Sequence, residues 1–472
     1  MVDAPRYESD ALGSLAVAQD CLGGIHQQRA AAAFAMTGGS TNPRLLRAYG
    51  AVKLACWRVN AALGYTPDTE LLGAVEAACQ ELMHGTLHQH MQLAALQGGA
   101  GTATNLAVSE VLCNRALQLL GLAPGPHDRL QPLRDLNRHQ STNDTYPTAM
   151  RVAALQALPS LEAAITALQN TLHQLERRWQ DVVKVGRTQW QDACYTTVGR
   201  SFGAWAEAIA RDRWRLSKCG ERLRVVNLGG TAIGTGVGAP REYIFRVVDE
   251  LRAVTGLRLA RAEHLIDATQ HHDAVVEVSG MLSACASTLM KIAGDLRLLA
   301  SGPHCGLGEL RLPPQLTGSS IMPGKVNPVI AEMVQQVALQ VQANHQAISS
   351  AAGMGSLELN PFLPLIADRL LSSLDMVIDG VQALDQRCLR GVDINQQALA
   401  EQVAHSSVSV ATILAGHIGY AAVEALLAEN DAQLCQRAVD AGLLSPETAQ
   451  QLTSAAAVLR LGSPLPPQED QP

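Results

Sequence analysis

Residues 318–328 read Gly318-Ser-Ser-Ile-Met-Pro-Gly-Lys-Val-Asn-Pro328, and residues 329–351 after them carry apolar side chains at the three- and four-residue spacing of a helix. A loop that feeds a long amphipathic helix is the unit from which the rest of the chain is read. Two glycines and a proline shape the loop, and Ser319 and Ser320 place hydroxyls on it. Asn327 is expected to cap the helix with Pro328 in its first turn. Lys325 then sits just ahead of a helix N-terminus, where partial positive charge favours an anion. A phosphate-binding loop would need four residues between its glycines and a Ser or Thr after the lysine. Here five residues separate Gly318 from Gly324, and Val326 follows Lys325.

Helical periodicity extends in both directions from this unit. Residues 151–181, 196–226, 273–300 and 363–384 show it as 329–351 does, and strand alternation is scarce. Segments of about 25 residues span roughly 37 Å at the usual helical rise, so a bundle of long helices is expected. Pro159 is expected to kink or end the first of them near Leu158. Gly-rich connectors at 98–101 and 229–238 separate helices. The natural divisions are an N-terminal domain over 1–142, a central helical domain over 143–390 and a C-terminal domain over 391–472, whose end with Pro464, Pro466 and Pro467 reads as disordered. No internal repeat stands out.

Composition excludes several classes. Aromatics are 3% of the chain, so the interior must be packed by Ala, Leu and Val. A formal net charge of -7 with no basic run gives no reason to expect nucleic acid. No uninterrupted apolar run has membrane-spanning length and the first residues do not form a signal peptide, so a cytoplasmic protein without a membrane partner is expected. The ten cysteines are dispersed without a Cys-x-x-Cys pair, which argues against zinc and disulfides. Most are expected to be buried helix residues, with Cys305, beside His304 in a Gly-Pro loop, the one to check for exposure.

Three further polar stretches accompany the loop. They are Gln97-Gly-Gly-Ala-Gly-Thr102-Ala-Thr-Asn105 with Glu110 after it; Gln140-Ser141-Thr142-Asn143-Asp144 with Tyr146-Pro-Thr148; and Gly186-Arg-Thr188-Gln189-Trp-Gln191-Asp192-Ala193. Ser141, Thr142 and Asn143 taken alone read as a turn and helix cap. Together with the loop, the stretches closely resemble the signatures of the aspartase/fumarase superfamily, whose members break a C–N or C–O bond and release fumarate. Weaker echoes run over 227–236 and 295–303, and the likeness extends from about Leu12 to the neighbourhood of Leu461.

The resemblance implies an all-α fold, with a central long-helix bundle flanked by smaller N- and C-terminal domains. It also implies a homotetramer in which each active site gathers stretches from three subunits. The substrate class implied is a small dicarboxylate, handled without a cofactor. Abstraction of a proton next to a carboxylate creates a dianionic enediolate, which fixed donors in a water-poor site must meet. In the roles carried over, Ser319 is the base that takes the β proton. Thr102, Ser141 and Thr142 hold the carboxylate that becomes the enediolate. Lys325, Asn327 and Thr188 bind the other carboxylate, and Asn143 contacts the leaving amino group. Ser319 needs surroundings that stabilise its alkoxide, which Lys325, backbone N–H groups and the helix end could provide.

Letters at a few positions bear on the substrate. Fumarase-like members carry a histidine at the position of Gln189 to handle water, and an amide cannot transfer protons near neutral pH. The forms over 98–102 and 141–143 also resemble aspartases. Glu332 lacks a histidine partner and reads as a charge in the first turn of its helix. The reading is conversion of L-aspartate to fumarate and ammonia by anti elimination. The alternatives, in order, are a lyase for an N-substituted aspartate, a fumarate hydratase and a non-catalytic structural protein on this fold. Ala107, Ser109, Cys194, Tyr195, Arg200 and Gly294 depart from the superfamily pattern. Arg200 reads as a solvated helix arginine, or as the partner of an extra acidic group on the substrate.

Overall fold

The computed structural model describes residues 4–36, 39–66, 68–126, 128–429, 433–460 and 462. The fold is all-α. The long helices are Pro43–Ala62, Thr142–Arg178, Asp273–Leu299, Val329–Gly353 and Leu363–Ala383, and the described strands pair only two by two. The proline-rich end at 464–467 lies outside the described residues.

The chain forms two compact units. The first comprises Met1–Ala163, Trp214–Ala286 and Val337–Ile378, and the second Ala164–Arg213, Ser287–Gln336 and Asp379–Pro472. In the first, the helix Pro43–Ala62 packs on Thr69–His84 and Arg241–Thr255. Ala48, Ala51, Ala55 and Ala78 are fully buried there, which lets the helices approach closely around Tyr49, Val52 and Leu82. The second holds a hairpin of strands Val183–Thr188 and Gln191–Thr197. It also holds a small core of Leu414, Val423, Leu426, Leu434 and Ala438 from short helices.

Two expectations for the helices are corrected. Residues 196–226 are not one helix: Val198–Leu216 is followed by the short helix Cys219–Leu223 and then a strand at Val225–Val226. The apolar period continues past Leu216, but the backbone turns at Ser217, whose hydroxyl donates to the Trp214 carbonyl at 2.8 Å. Nor does Pro159 end its helix, which runs from Thr142 to Arg178 with Pro147 and Pro159 inside it. A proline in a helix interior costs about 3 kcal/mol. Burial of one apolar side chain returns about 1.5–3 kcal/mol, and Met150, Leu161, Ile165, Leu168 and Leu172 of this helix are all buried.

The helix Asp273–Leu299 is long and apolar enough, by length and composition, to cross a membrane. Lys291 and Asp295, an i,i+4 ion pair, interrupt its apolar run. Val275, Val278, Leu282, Leu289, Ile292 and Leu296 on it are fully buried within the protein.

Pro159 is exposed, so its only local effect is on the helix backbone. Pro159→Ala restores an N–H for the Leu155 carbonyl and is expected to stabilise the protein by about 1–2 kcal/mol, after allowing for the looser unfolded chain. Urea denaturation checks this, and a midpoint at or below that of the parent protein contradicts it.

Candidate active site

The Gly-rich stretch over 97–102 leads into the helix Thr102–Leu119. Gly101 has φ +93°, and a Cβ there would lie 2.1 Å from the Tyr146 ring, so only glycine lets this turn sit against the start of the Thr142–Arg178 helix. Gln97 performs the capping that a Ser or Asp would usually supply: its Oε1 accepts from the Thr104 N–H at 3.1 Å and the Thr104 hydroxyl at 3.0 Å. The Thr102 hydroxyl donates to the Gly99 carbonyl at 2.7 Å, so it must rotate before it can donate to a carboxylate.

One chain of hydrogen bonds sets the Thr142 hydroxyl. Lys53 is buried, and its ammonium donates to Asn137 Oδ1 at 3.1 Å and Gln140 Oε1 at 2.9 Å. An ammonium only donates, so the Asn137 oxygen must face it. That oxygen also receives Asn105 Nδ2 at 3.0 Å, and the same nitrogen donates to Thr142 Oγ1 at 3.1 Å. With a lone pair of Thr142 occupied, its hydroxyl is set as a donor. Burial pushes the Lys53 ammonium down to about 8, against the opposing pull of Asp144.

Ser141 Oγ accepts the Asn143 N–H at 3.2 Å, which is the turn expected from sequence. Pro147 leaves the Asn143 carbonyl without its helical donor, and Asn227 supplies one from Nδ2 at 2.9 Å. Asn143 Nδ2 donates to the Ala232 carbonyl at 2.7 Å. Thr102, Ser141, Thr142 and Asn143 therefore lie on two linked segments of the first unit, joined by Asn105 and bordered by the connector at 227–236.

The second unit carries the loop over 318–328. Gly318 N–H donates to the Lys325 carbonyl at 2.9 Å, and a Cβ on Gly318 would meet that carbonyl oxygen at 2.1 Å. Ser319 Oγ accepts the N–H groups of Ile321 and Met322 at 3.2 and 3.0 Å. The expected cap at Asn327 is corrected: the helix begins at Val329, and Asn327 Nδ2 instead donates to the Gly318 carbonyl at 2.6 Å, closing the loop at its neck. Lys325 makes no salt bridge with any described residue, and it lines a cavity of about 970 Å³ with Asn327, Arg297, His304, Arg311 and Glu332. Glu332 is not left unpartnered, because Arg297 approaches it at 3.8 Å.

Thr188 ends one strand of the hairpin and Gln189 opens its two-residue turn; neither lines that cavity. Gln189 and Trp190 have φ of +52° and +65°, the left-handed pair of a type I′ turn, and both are exposed. The hairpin is anchored by Glu309, which is 2% exposed at its side chain and salt-bridged to both Lys184 and Arg187. Arg187 also donates to Gln402 at 3.0 Å, on the cavity wall. Arg200, beyond the hairpin, donates to the Val458 carbonyl at 2.6 Å and to that of Leu459, so it fixes a C-terminal helix rather than standing free. Cys305 is exposed as suspected, and so is Cys194, whereas Cys56, Cys79, Cys113, Cys219, Cys285 and Cys388 are buried.

The sequence reading gave no role to Lys53, Gln97, Asn137, Asp144 or Glu309. Asp144 and Gln97 stood inside quoted stretches, but nothing in the sequence marks Lys53 or Glu309 as buried.

Known proteins resemble the chain over most of its length. A family described as lyase matches residues 13–343. An aspartate ammonia-lyase of Bacillus subtilis (strain 168) is 38% identical over 425 residues, 90% of this chain and 89% of that protein. A class II fumarate hydratase of the same organism is 36% identical over 448 residues, 95% of each. The solved structure of a fumarate lyase:delta crystallin from Brucella melitensis bound to cobalt matches with a TM-score of 0.90 and 38% identity, covering 95% of this chain and 98% of that one. Motifs, fold and relatives thus converge, and the chain belongs to the aspartase/fumarase superfamily of lyases.

Proposed function

We propose that this lyase is an aspartate ammonia-lyase, which removes the β proton of L-aspartate and expels ammonia in an anti elimination through an enediolate, giving fumarate. The observation that supports a base at Ser319 is its pair of backbone donors. An oxygen that already accepts two N–H groups is stabilised most when it carries negative charge, so the hydroxyl is biased towards its alkoxide. Thr142, with its proton free, meets the carboxylate that becomes the enediolate; Ser141 and a rotated Thr102 assist. Lys325, with Asn327 and Thr188, takes the second carboxylate. We further propose that the active sites form in a homotetramer, from stretches of different subunits.

Ammonia is favoured over water as the leaving group by Gln189. The position where hydratases carry an imidazole holds an amide here, at an exposed turn. The relatives at comparable identity include both chemistries. Hydration is kept as a second reading by one observation, His304, an imidazole in the same cavity as Lys325 and Glu332.

Ser319→Ala is expected to keep the fold and abolish fumarate release from aspartate, since a half-buried loop hydroxyl is structurally dispensable. Turnover near that of the parent would remove Ser319 from its role. Mixing inactive Ser319→Ala and Thr188→Val proteins under conditions of subunit exchange is expected to restore activity. Hybrid oligomers without activity would mean that both residues act from one chain. Gln189→His is expected to leave aspartate elimination within about tenfold, the roughly 1.4 kcal/mol of one neutral hydrogen bond. Fumarate absorbance followed with aspartate and with malate decides the leaving group. Malate consumed faster than aspartate by the unmodified protein would promote the hydratase reading.

A further inference from the structure

Asp144 has no role in the chemistry above, yet its carboxylate is a junction of the first unit. It is fully buried. Oδ1 accepts the Ser141 N–H at 2.9 Å, and Oδ2 accepts the N–H groups of Gly229 and Thr231 at 3.1 Å each. Thr231 is held at φ +56° in the turn that results, and this turn presents the Ala232 carbonyl to Asn143. A carbonyl only accepts, so the Asn143 nitrogen must face Ala232 and its oxygen must face away.

We propose that Asp144 is the positioning residue for the leaving group: it holds the turn 229–232 against Ser141 so that Asn143 presents its amide oxygen, an acceptor, to an ammonium or amine. The inference rests on the ammonia-lyase reading. An asparagine at 144 would set its own N–H group against one or more of the three backbone N–H groups, since an amide has one accepting atom where a carboxylate has two. The turn would loosen and the Asn143 amide would be free to flip. A substrate with an amino group would feel the change more than fumarate, which has none for Asn143 to meet.

The charges around Asp144 give a second handle. Lys53, Tyr49 and Cys56 reach it from the helix Pro43–Ala62, and Tyr243 from Arg241–Thr255. Burial holds the tyrosines and the thiol above their ordinary values, so they stay neutral through the neutral range. Burial also pushes the Asp144 carboxyl up to about 6, opposed by its backbone donors and Lys53. Below that pH one oxygen gains a proton and ceases to accept, which opens the clamp on the acid side.

The test uses the full-length protein and its Asp144→Asn variant, with kcat and KM for aspartate elimination and the inhibition constant of fumarate measured from pH 5 to 8. The expected result is a loss of about a hundredfold in kcat/KM for aspartate, the scale of a misplaced contact group, with fumarate inhibition held within about threefold. The parent is expected to lose kcat/KM below about pH 6 without weaker fumarate inhibition. Equal losses for aspartate and fumarate in the variant, or loss of neither, would overturn the proposal. If the variant does not fold, the parent profile decides, and no acid limb near pH 6 overturns it. A parent that turns over no aspartate at all refutes the ammonia-lyase reading instead, which separates the two failures.

Discussion

Buried carboxylates that accept donors from irregular backbone are the constraint on which the polar segments of this protein depend. Long helices satisfy their own N–H groups, but the segments between them cannot, and a buried unpaired N–H costs about 1–3 kcal/mol. Asp144 resolves this for the turn at 229–231. Glu110 does so at the start of the helix Ile25–Ala33, accepting the N–H groups of Gly24, His26 and Gln27 at 2.8–3.0 Å. Glu309 does the equivalent with two cations and so holds the hairpin whose first strand ends in Thr188. Breaking a buried charged group's pairing typically costs 3–5 kcal/mol. Segments held this way are rigid enough to keep hydroxyls and amides in place.

The later long helices were legible in the sequence because packing and local preference agree along them, whereas Pro43–Ala62, Thr69–His84, Thr102–Leu119 and Arg241–Thr255 were not read as helices. The periodicity of 273–300, 329–351 and 363–384 places each helix to within a few residues of Asp273–Leu299, Val329–Gly353 and Leu363–Ala383. The misreadings arose where a local signal lost to its surroundings. Pro159 carries a breaking signal that the burial of its helix outweighs. At Gly186–Ala193 the sequence lacks the Asn-Gly or Asp-Gly pair that marks a type I′ turn, so the hairpin through Gln189 and Trp190 went unseen. Asn327 had the letter of a cap, but its side chain closes the loop by donating to the Gly318 carbonyl, and sequence spacing cannot show such a partner.

For the candidate site, the residues proposed to present groups to a substrate were legible and those that orient them were not. Ser141, Thr142, Asn143, Ser319 and Lys325 stand in short stretches whose letters carry the resemblance. Asn105 stands in one of those stretches with no role of its own, and nothing in the sequence singles out Lys53. Only the fold shows that Lys53 is 1% exposed and that its ammonium sets the amide of Asn137, which in turn sets that of Asn105. The departures at Ala107 and Ser109 also acquire a physical account. Both are buried on the helix Thr102–Leu119, and the Ser109 hydroxyl returns to the Asn105 carbonyl at 3.0 Å, so these positions serve the helix and not a ligand.

This division of labour bears on how the proposed mechanism would meet an enediolate. Charges placed directly on the substrate would bind the ground-state carboxylate nearly as well as the dianion, and so lower KM more than the barrier. Hydroxyls with their lone pairs already engaged, as in Thr142, offer a single proton whose hydrogen bond strengthens as negative charge develops on the carboxylate oxygen. The cation that drives the arrangement, Lys53, acts two amides away, where it fixes orientation without binding substrate. In the proposed mechanism Ser319 follows the same logic in reverse, because the N–H groups of Ile321 and Met322 that it accepts would stabilise negative charge on its oxygen. On that mechanism both ends are preorganised by neutral donors of the backbone and of amides, which lose little to reorganisation during a reaction.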